Sequence, residues 1–398
     1  TQATNLTTDQ VVALTTTQVP ALTTSQVANL TTSQVASLET RDLARMTTTQ
    51  IAALTPTQIQ ALTTTQVTNL TTSQTVALTP TQIGNLTTSQ VVALSSDQVS
   101  KLTTSQVQAL TTSQVAALET ADLAQMSTTQ IAALTTTQAT NLTTDQVVAL
   151  TTTQVPALTT AQVSKLGATQ VAALETRDLV RMTTTQIAVL TSTQVRALTT
   201  DQVTALTSTQ LPALSTAAIA AMSNDQINAI IGTTNIQSLT TTQVASLTTA
   251  QIANLRTTAF EQASSVQIAA LTSTQIVKLT AEDITALTSQ GVAALSTDNI
   301  KVLTGTQMAA IDTADLANMT TSQVAVITSA QVRSLSTEQI AAFTTAQLEK
   351  FATNALSSFS DEQLAALGAT KFSKLTTLQV SALTPSRISN LTTEFVQA

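Results

Sequence analysis

The sequence predicts an all-α fold: an α-solenoid of about 49 very short capped helices, one per octapeptide. Three observations predict it. An eight-residue period runs through the chain, a helix-capping signature sits in fixed register within each period, and the charges follow the polarity of a helix.

The period is carried by large apolar residues. Leu6, Leu14, Leu22, Leu30 and Leu38 stand eight apart, and the frame continues to Met222. One extra residue at Ile230/Ile231 shifts it, and it then runs from Ile231 to Leu391, with Ala263 the one small residue at position one. The consensus octad is Leu-Thr-Thr-x-Gln-Val-x-Ala. A longer repeat is superimposed: residues 1–24 recur identically at 137–160, and LETRDL at 38 returns at 174, both 136 residues on. We read one continuous array over 1–398, regular over 1–222 and diverged over 231–398, with no Pro/Gly/Ser linker between the halves. The chain opens at Thr1 inside an octad, without an initiator Met or signal sequence, and is read as a window of something longer.

Within the octad, Thr at position two and Gln at position five form the S/T-x-x-E/Q capping box. The hydroxyl accepts from the N3 amide while Gln reaches back to the N-cap amide. Leu at position one and Val at position six then become the N′ and N4 partners of a hydrophobic staple. Pro56, Pro80 and Pro385 fall at position three, the first helical residue, where proline lacks nothing the helix needs. Gly167, Gly232 and Gly368 stand in for the N-cap Thr. Pro20, Pro156 and Pro212 at position seven oppose a longer helix, so each helix is limited to one to one-and-a-half turns, partly 3₁₀.

Of 22 acids, 20 lie at positions two to five, and 10 of 15 bases lie at positions seven and eight. A helix dipole favours that asymmetry. A β-solenoid, which Thr and Val also favour, fails on parity. Positions one and six differ by five, which would put Leu and Val on opposite faces of a strand. Helices this short do not stand alone, so neighbouring octads must share a core.

Composition narrows function. The chain has no His, Cys, Trp or Tyr, 2% aromatic and 9% charged residues, and a net charge of −7. That excludes a His base, a thiolate and a Cys/His metal site, and it leaves neither the basic field nor the stacking aromatics of a nucleic-acid reader. No apolar run approaches the ~20 residues that span a bilayer. No enzyme activity and no cofactor are expected. The acidic octads pair carboxylates three residues apart: Glu39 with Asp42, Glu119 with Asp122, Glu175 with Asp178 and Asp312 with Asp315. Such pairs are weak cation candidates; the plainer reading is an acid replacing Thr or Gln in helix capping. Met46, Met126, Met182 and Met319 follow these units as core fillers. The Thr pair at positions two and three would form a hydroxyl ladder that could meet glycans, ice or a second copy of the chain.

The stretches LTPTQIQAL (54–62), LTTSQVAAL (110–118) and LSTEQIAAF (335–343) resemble octapeptide arrays of very long bacterial secreted proteins of the haemagglutinin-like, haem-utilisation or adhesion type. The resemblance covers essentially the whole chain and implies an extracellular or bacterial cell-surface protein. It does not extend to haem, since no His, Cys or Tyr is present to ligate iron. The same opening resembles helix starts in the N-terminal solenoid of a magnesium transporter and in transcription-activator-like effector repeats, neither of which brings a function here. Two roles are expected from this reading. The first is a self-assembling structural protein forming a filament, sheath or surface layer. The alternative is a rigid spacer or adhesin stalk presenting a separate binding domain.

Overall fold

The computed structural model of the chain describes residues 5–234 and 236–389. The last position-one residue of the frame, Leu391, lies outside them. Among the described residues there are 44 α-helices and no strand, so the fold is the expected all-α solenoid. The helices are almost all four to six residues long.

The local geometry follows from the octad. In the helix Pro56–Ala61, Thr55 is extended (φ −72°, ψ 158°), its hydroxyl accepts from the Gln58 amide, and Pro56 occupies N1. The Gln58 Oε1 in turn accepts from the Thr55 amide at 2.7 Å. The helix ends at Leu62 (φ −60°, ψ 135°), and Thr63 (φ −68°, ψ 156°) caps the next one. Two extended residues, positions one and two, therefore link consecutive helices, and Leu serves both as the end of one helix and the N′ residue of the next. The octads of Pro20, Pro156 and Pro212 form 3₁₀ turns at Val19–Ala21, Val155–Ala157 and Leu211–Ala213, as the missing amide requires.

The chain divides into two compact units, Thr1–Leu206 and Thr207–Ala398, where the sequence alone reads as one array. The division falls in the octad that carries Pro212 and not at the 230/231 frame shift. Within each unit, position six is buried completely (Val107, Val115, Ile340) and position one nearly so (Leu110, Leu118, Phe343). Positions two to four face solvent, as at Thr103, Thr104 and Ser105.

The extra residue at 230/231 is absorbed by one longer helix, Asn224–Thr234, with Ile230 and Ile231 both buried. Gly232 consequently lies inside a helix and is not an N-cap. Gly368 also departs from expectation: it is the first residue of the helix Gly368–Phe372, with φ at +71°, a backbone region that glycine enters without steric cost. Of the three glycines expected at N-caps, Gly167 is the one found there.

Ala263, the small residue at position one, is compensated by Phe260 at position six of the preceding octad, which is 2% exposed. A residual apolar cavity of about 10 Å³ remains, bordered by both residues with Ile236, Val244, Ile252 and Leu271. The two sites exchange volume, so their mutational effects should couple. Ala263→Leu alone is expected to overpack, at about 1–3 kcal/mol. Phe260→Val alone is expected to leave a cavity, at about 1–3 kcal/mol. The double substitution restores the consensus pair and should recover most of both losses. A double-mutant cycle by denaturant unfolding checks this; additive losses would show that the residues do not share one space.

Candidate functional site

The chain's polar chemistry is concentrated at position five. Gln stands there in most octads and is buried in 32 of them, which burial statistics disfavour for a lone amide. Both ends of the side chain are used. In Gln90, Oε1 accepts from the Thr87 amide at 2.8 Å, completing the capping box. Its Nε2 donates to the carbonyls of Ile59 at 2.8 Å and Leu62 at 2.7 Å. These residues lie 31 and 28 positions earlier, at the C-terminal end of the helix four octads back. The same pair of bonds recurs from Gln58, Gln82, Gln114, Gln162 and, in the second unit, Gln275 and Gln347. One side chain thus satisfies the orphan amide that starts its own helix and the orphan carbonyls that end another. Residues about 28 apart stand on adjacent superhelical turns, so a turn takes between three and four octads.

The frame shift confirms that the ladder is geometric. Gln243 and Gln251 reach back 32 and 29 residues instead of 31 and 28. By Gln267 the separations return to 31 and 28.

Substitutions at position five separate into those that keep a donor and those that lose it. Lys371 donates to the Ala341 and Phe343 carbonyls, and Arg387 donates to Ser357 at 2.7 Å. Asn299, shorter by one methylene, still reaches the Leu271 carbonyl at 2.9 Å, 28 residues earlier. Its Oδ1 accepts from the Ser273 hydroxyl at 3.1 Å.

The acidic octads keep no donor. Asp42, Asp122, Asp178 and Asp315 occupy position five and are 1%, 3%, 1% and 7% exposed. Asp122 accepts from the Ser96 hydroxyl at 2.6 Å, and Asp315 accepts from Ser289. Neither carboxylate oxygen of Asp42 or Asp178 has a hydrogen-bond partner. The second acids of these octads, Glu39, Glu119, Glu175 and Asp312, are N-cap residues but make no side-chain cap bond, contrary to the capping role expected for them. A second carboxylate at N3 repels the first, and each helix opens instead on a backbone bond, such as Asp178 N–H to the Glu175 carbonyl at 2.9 Å. Asp283, with Thr at its N-cap, escapes this: its Oδ2 accepts from the Thr280 amide at 2.9 Å.

In two of the four pairs the carboxylates differ sharply in exposure while flanking one guanidinium. The Glu39 and Glu175 side chains are 41% and 39% exposed while their Asp partners are buried. Arg41 Nε lies 2.7 Å from Glu39 and 3.7 Å from Asp42, and Arg177 repeats the arrangement at 2.5 and 3.8 Å. Among the described residues no three acidic side chains gather as a metal site would require. Burial pushes the Asp178 carboxyl above its ordinary value, with Arg177 opposing and Glu175 adding to the shift. Glu338 and Glu362, by contrast, are held below the usual range, first by their own backbone amides and then by the hydroxyls of Ser336 and Ser360.

Sequence reasoning placed Gln in the capping box and missed its inter-turn bonds. A signal was present. Glu serves a capping box as well as Gln does, yet no Glu stands at position five, while acids are frequent at position four. Every acid at position five is the shorter Asp, as fits a position whose side-chain tip meets carbonyl oxygens.

Fold and ladder together define an all-α octapeptide-repeat protein, an architecture consistent with a structural role. More specifically, the chain belongs to the ALTTAQ repeat family, which matches residues 4–32, 35–72, 72–104, 88–119, 115–152, 148–176, 171–208 and 308–345, more than half of its length. No curated protein matches it. No helix among the described residues is long and apolar enough to cross a membrane.

Proposed function

We propose that this is a non-enzymatic, self-associating structural protein of the bacterial exterior, assembling with copies of itself into a filament, sheath or surface layer. The observation that carries this reading is the division of polar groups between inside and outside. Buried Gln side chains are consumed by the ladder, whereas positions two to four of each octad present exposed hydroxyls at a fixed repeat. Neighbouring hydroxyls already pair across one helix start, as Thr55 and Thr57 do at 3.1 Å. With 9% charged residues, like-charge repulsion between copies is weak, and the repeated small polar side chains can meet in many equivalent registers. Repeated identical surfaces favour contacts that propagate rather than close. Export suits a chain with no Cys to mispair in an oxidising compartment. The resemblance to haemagglutinin-like and adhesion proteins points the same way, without haem.

Analytical ultracentrifugation with negative-stain microscopy at micromolar concentration tests the proposal. Concentration-dependent growth into fibres or sheets is expected. Monodisperse particles would favour the second reading, a spacer or adhesin stalk. That reading draws on the ladder itself, because bonds tying each turn to the previous one resist bending. Recovery of the native protein from inside spheroplasts would refute the placement outside the cell.

A further inference from the structure

The octad opened by Leu174 departs from the ladder in a way that its neighbours explain. At position five, Gln Nε2 normally donates to the carbonyls 28 and 31 residues earlier, which for Asp178 are those of Leu150 and Val147. Asp178 has no N–H to offer, is 1% exposed, and neither of its oxygens finds a hydrogen-bond partner. Length is not the obstacle. Asn299 has the same side-chain length in the same register, and its amide reaches the Leu271 carbonyl at 2.9 Å. A carboxyl oxygen in the place of Nδ2 faces a carbonyl oxygen, and two lone pairs at that range need a proton between them. Where Asp122 and Asp315 stand, a serine hydroxyl 26 residues earlier relieves one oxygen. At Asp178 that position is Thr152, in the octad distorted by Pro156 into a 3₁₀ turn, and no such bond forms.

We propose that this octad is a proton-locked seam: with Asp178 neutral, its O–H closes onto the Leu150 carbonyl and completes the ladder; with Asp178 ionised, the link between turns opens. Burial disfavours ionisation of the carboxyl and outweighs Arg177, which favours it; Glu175 acts with burial. Of the elements around it, the helix Thr144–Ala149 carries Asp145 and the helix Thr200–Ala205 carries Asp201, each in its first turn. The Pro156 octad between them carries no charge. A group held above its ordinary value in the fold contributes stability that is complete below that ordinary value. The contribution is lost as pH rises through the folded value. The seam is therefore closed in acid and weakened toward neutral and alkaline pH.

The test is hydrogen exchange in the segment 171–182 of the full chain, comparing wild type with Asp178→Asn at the same pH so that intrinsic exchange rates cancel. At about pH 8, exchange in the Asn variant should be slower by about 5- to 150-fold, the range expected for satisfying one buried polar group. At about pH 4 the two proteins should match. Asp178→Gln, which restores the consensus residue, should reproduce the Asn result and guards against a variant-specific artefact. An unchanged ratio at the two pH values would overturn the proposal. So would millimolar calcium protecting the wild type at pH 8 as strongly as the Asn substitution does, since that would place a metal ion and not a proton between the oxygens.

Discussion

Gln90→Ala is expected to destabilise the repeats around it by about 2–4 kcal/mol, far more than loss of an N-cap at the same helix. The substitution strands the carbonyls of Ile59 and Leu62 and the Thr87 amide, and each buried polar group left unpaired costs about 1–3 kcal/mol, partly offset by relaxation. Thr87→Ala removes only the cap acceptor and should cost about 1 kcal/mol. Gln90→Glu separates the two roles of the side chain. Glu completes a capping box, so a purely local role would make the change nearly neutral. Because Glu cannot donate and would be ionised against two carbonyls, it should instead cost at least as much as Ala. Denaturant unfolding orders the three variants, and hydrogen exchange localises the damage, which in a repeat array stays near the substituted turn and the one it bonds. A neutral Gln90→Glu would remove the inter-turn bond from the account of stability.

Phe351→Ala should be the most damaging change in the second unit, at about 3–5 kcal/mol for the lost side chain. Phe343, Phe351 and Phe359 occupy position one of three consecutive octads. Phe351 packs edge-on against both neighbours, with ring centroids 5.0 and 5.5 Å apart and interplanar angles of 84° and 89°. Each edge pair adds about 0.5–1.5 kcal/mol beyond burial, and one substitution removes both. Phe351→Leu restores the residue that position one carries elsewhere. It keeps most of the buried volume and should cost about half as much or less. Comparable losses for Ala and Leu would mean that the ring–ring geometry, and not the filled space, holds this part of the core.

The position-one and position-six core, the capping box, Pro at N1 and the shortness of the helices were all legible in the sequence, whereas the 3₁₀ character expected of every helix is concentrated at the position-seven prolines. Each depends on residues within eight positions, where spacing and side-chain chemistry decide the outcome. The winding of the octads was not legible. Nothing local states that Gln90 meets Ile59, because that distance is set by the rotation from each helix to the next, summed over a turn of three to four octads. The acidic octads misled for a related reason. Glu39 and Asp42 read as a capping pair or a cation pair, but burial of position five sends one carboxylate inward while Arg41 keeps the other at the rim. Gly232 failed as a cap because the inserted residue lets one helix run on through the place where the next would have begun.

The reach of the position-five side chain also sets a threshold for folding. A Gln closes its bonds 28 and 31 residues back, and Gln34, in the fourth octad, already donates to the Leu6 carbonyl of the first, so the first ladder closure needs four octads of emerged chain. From then on, each added octad closes onto a template that already exists. The separation bridged stays near 28 residues however long the array becomes, so elongation meets the same loop-closure cost at every step. Folding speed per octad should then be insensitive to total length, as expected where contacts stay local in sequence. Such a chain can mature from one end during its synthesis, and gain or loss of whole octads in a lineage leaves every surviving closure with a partner.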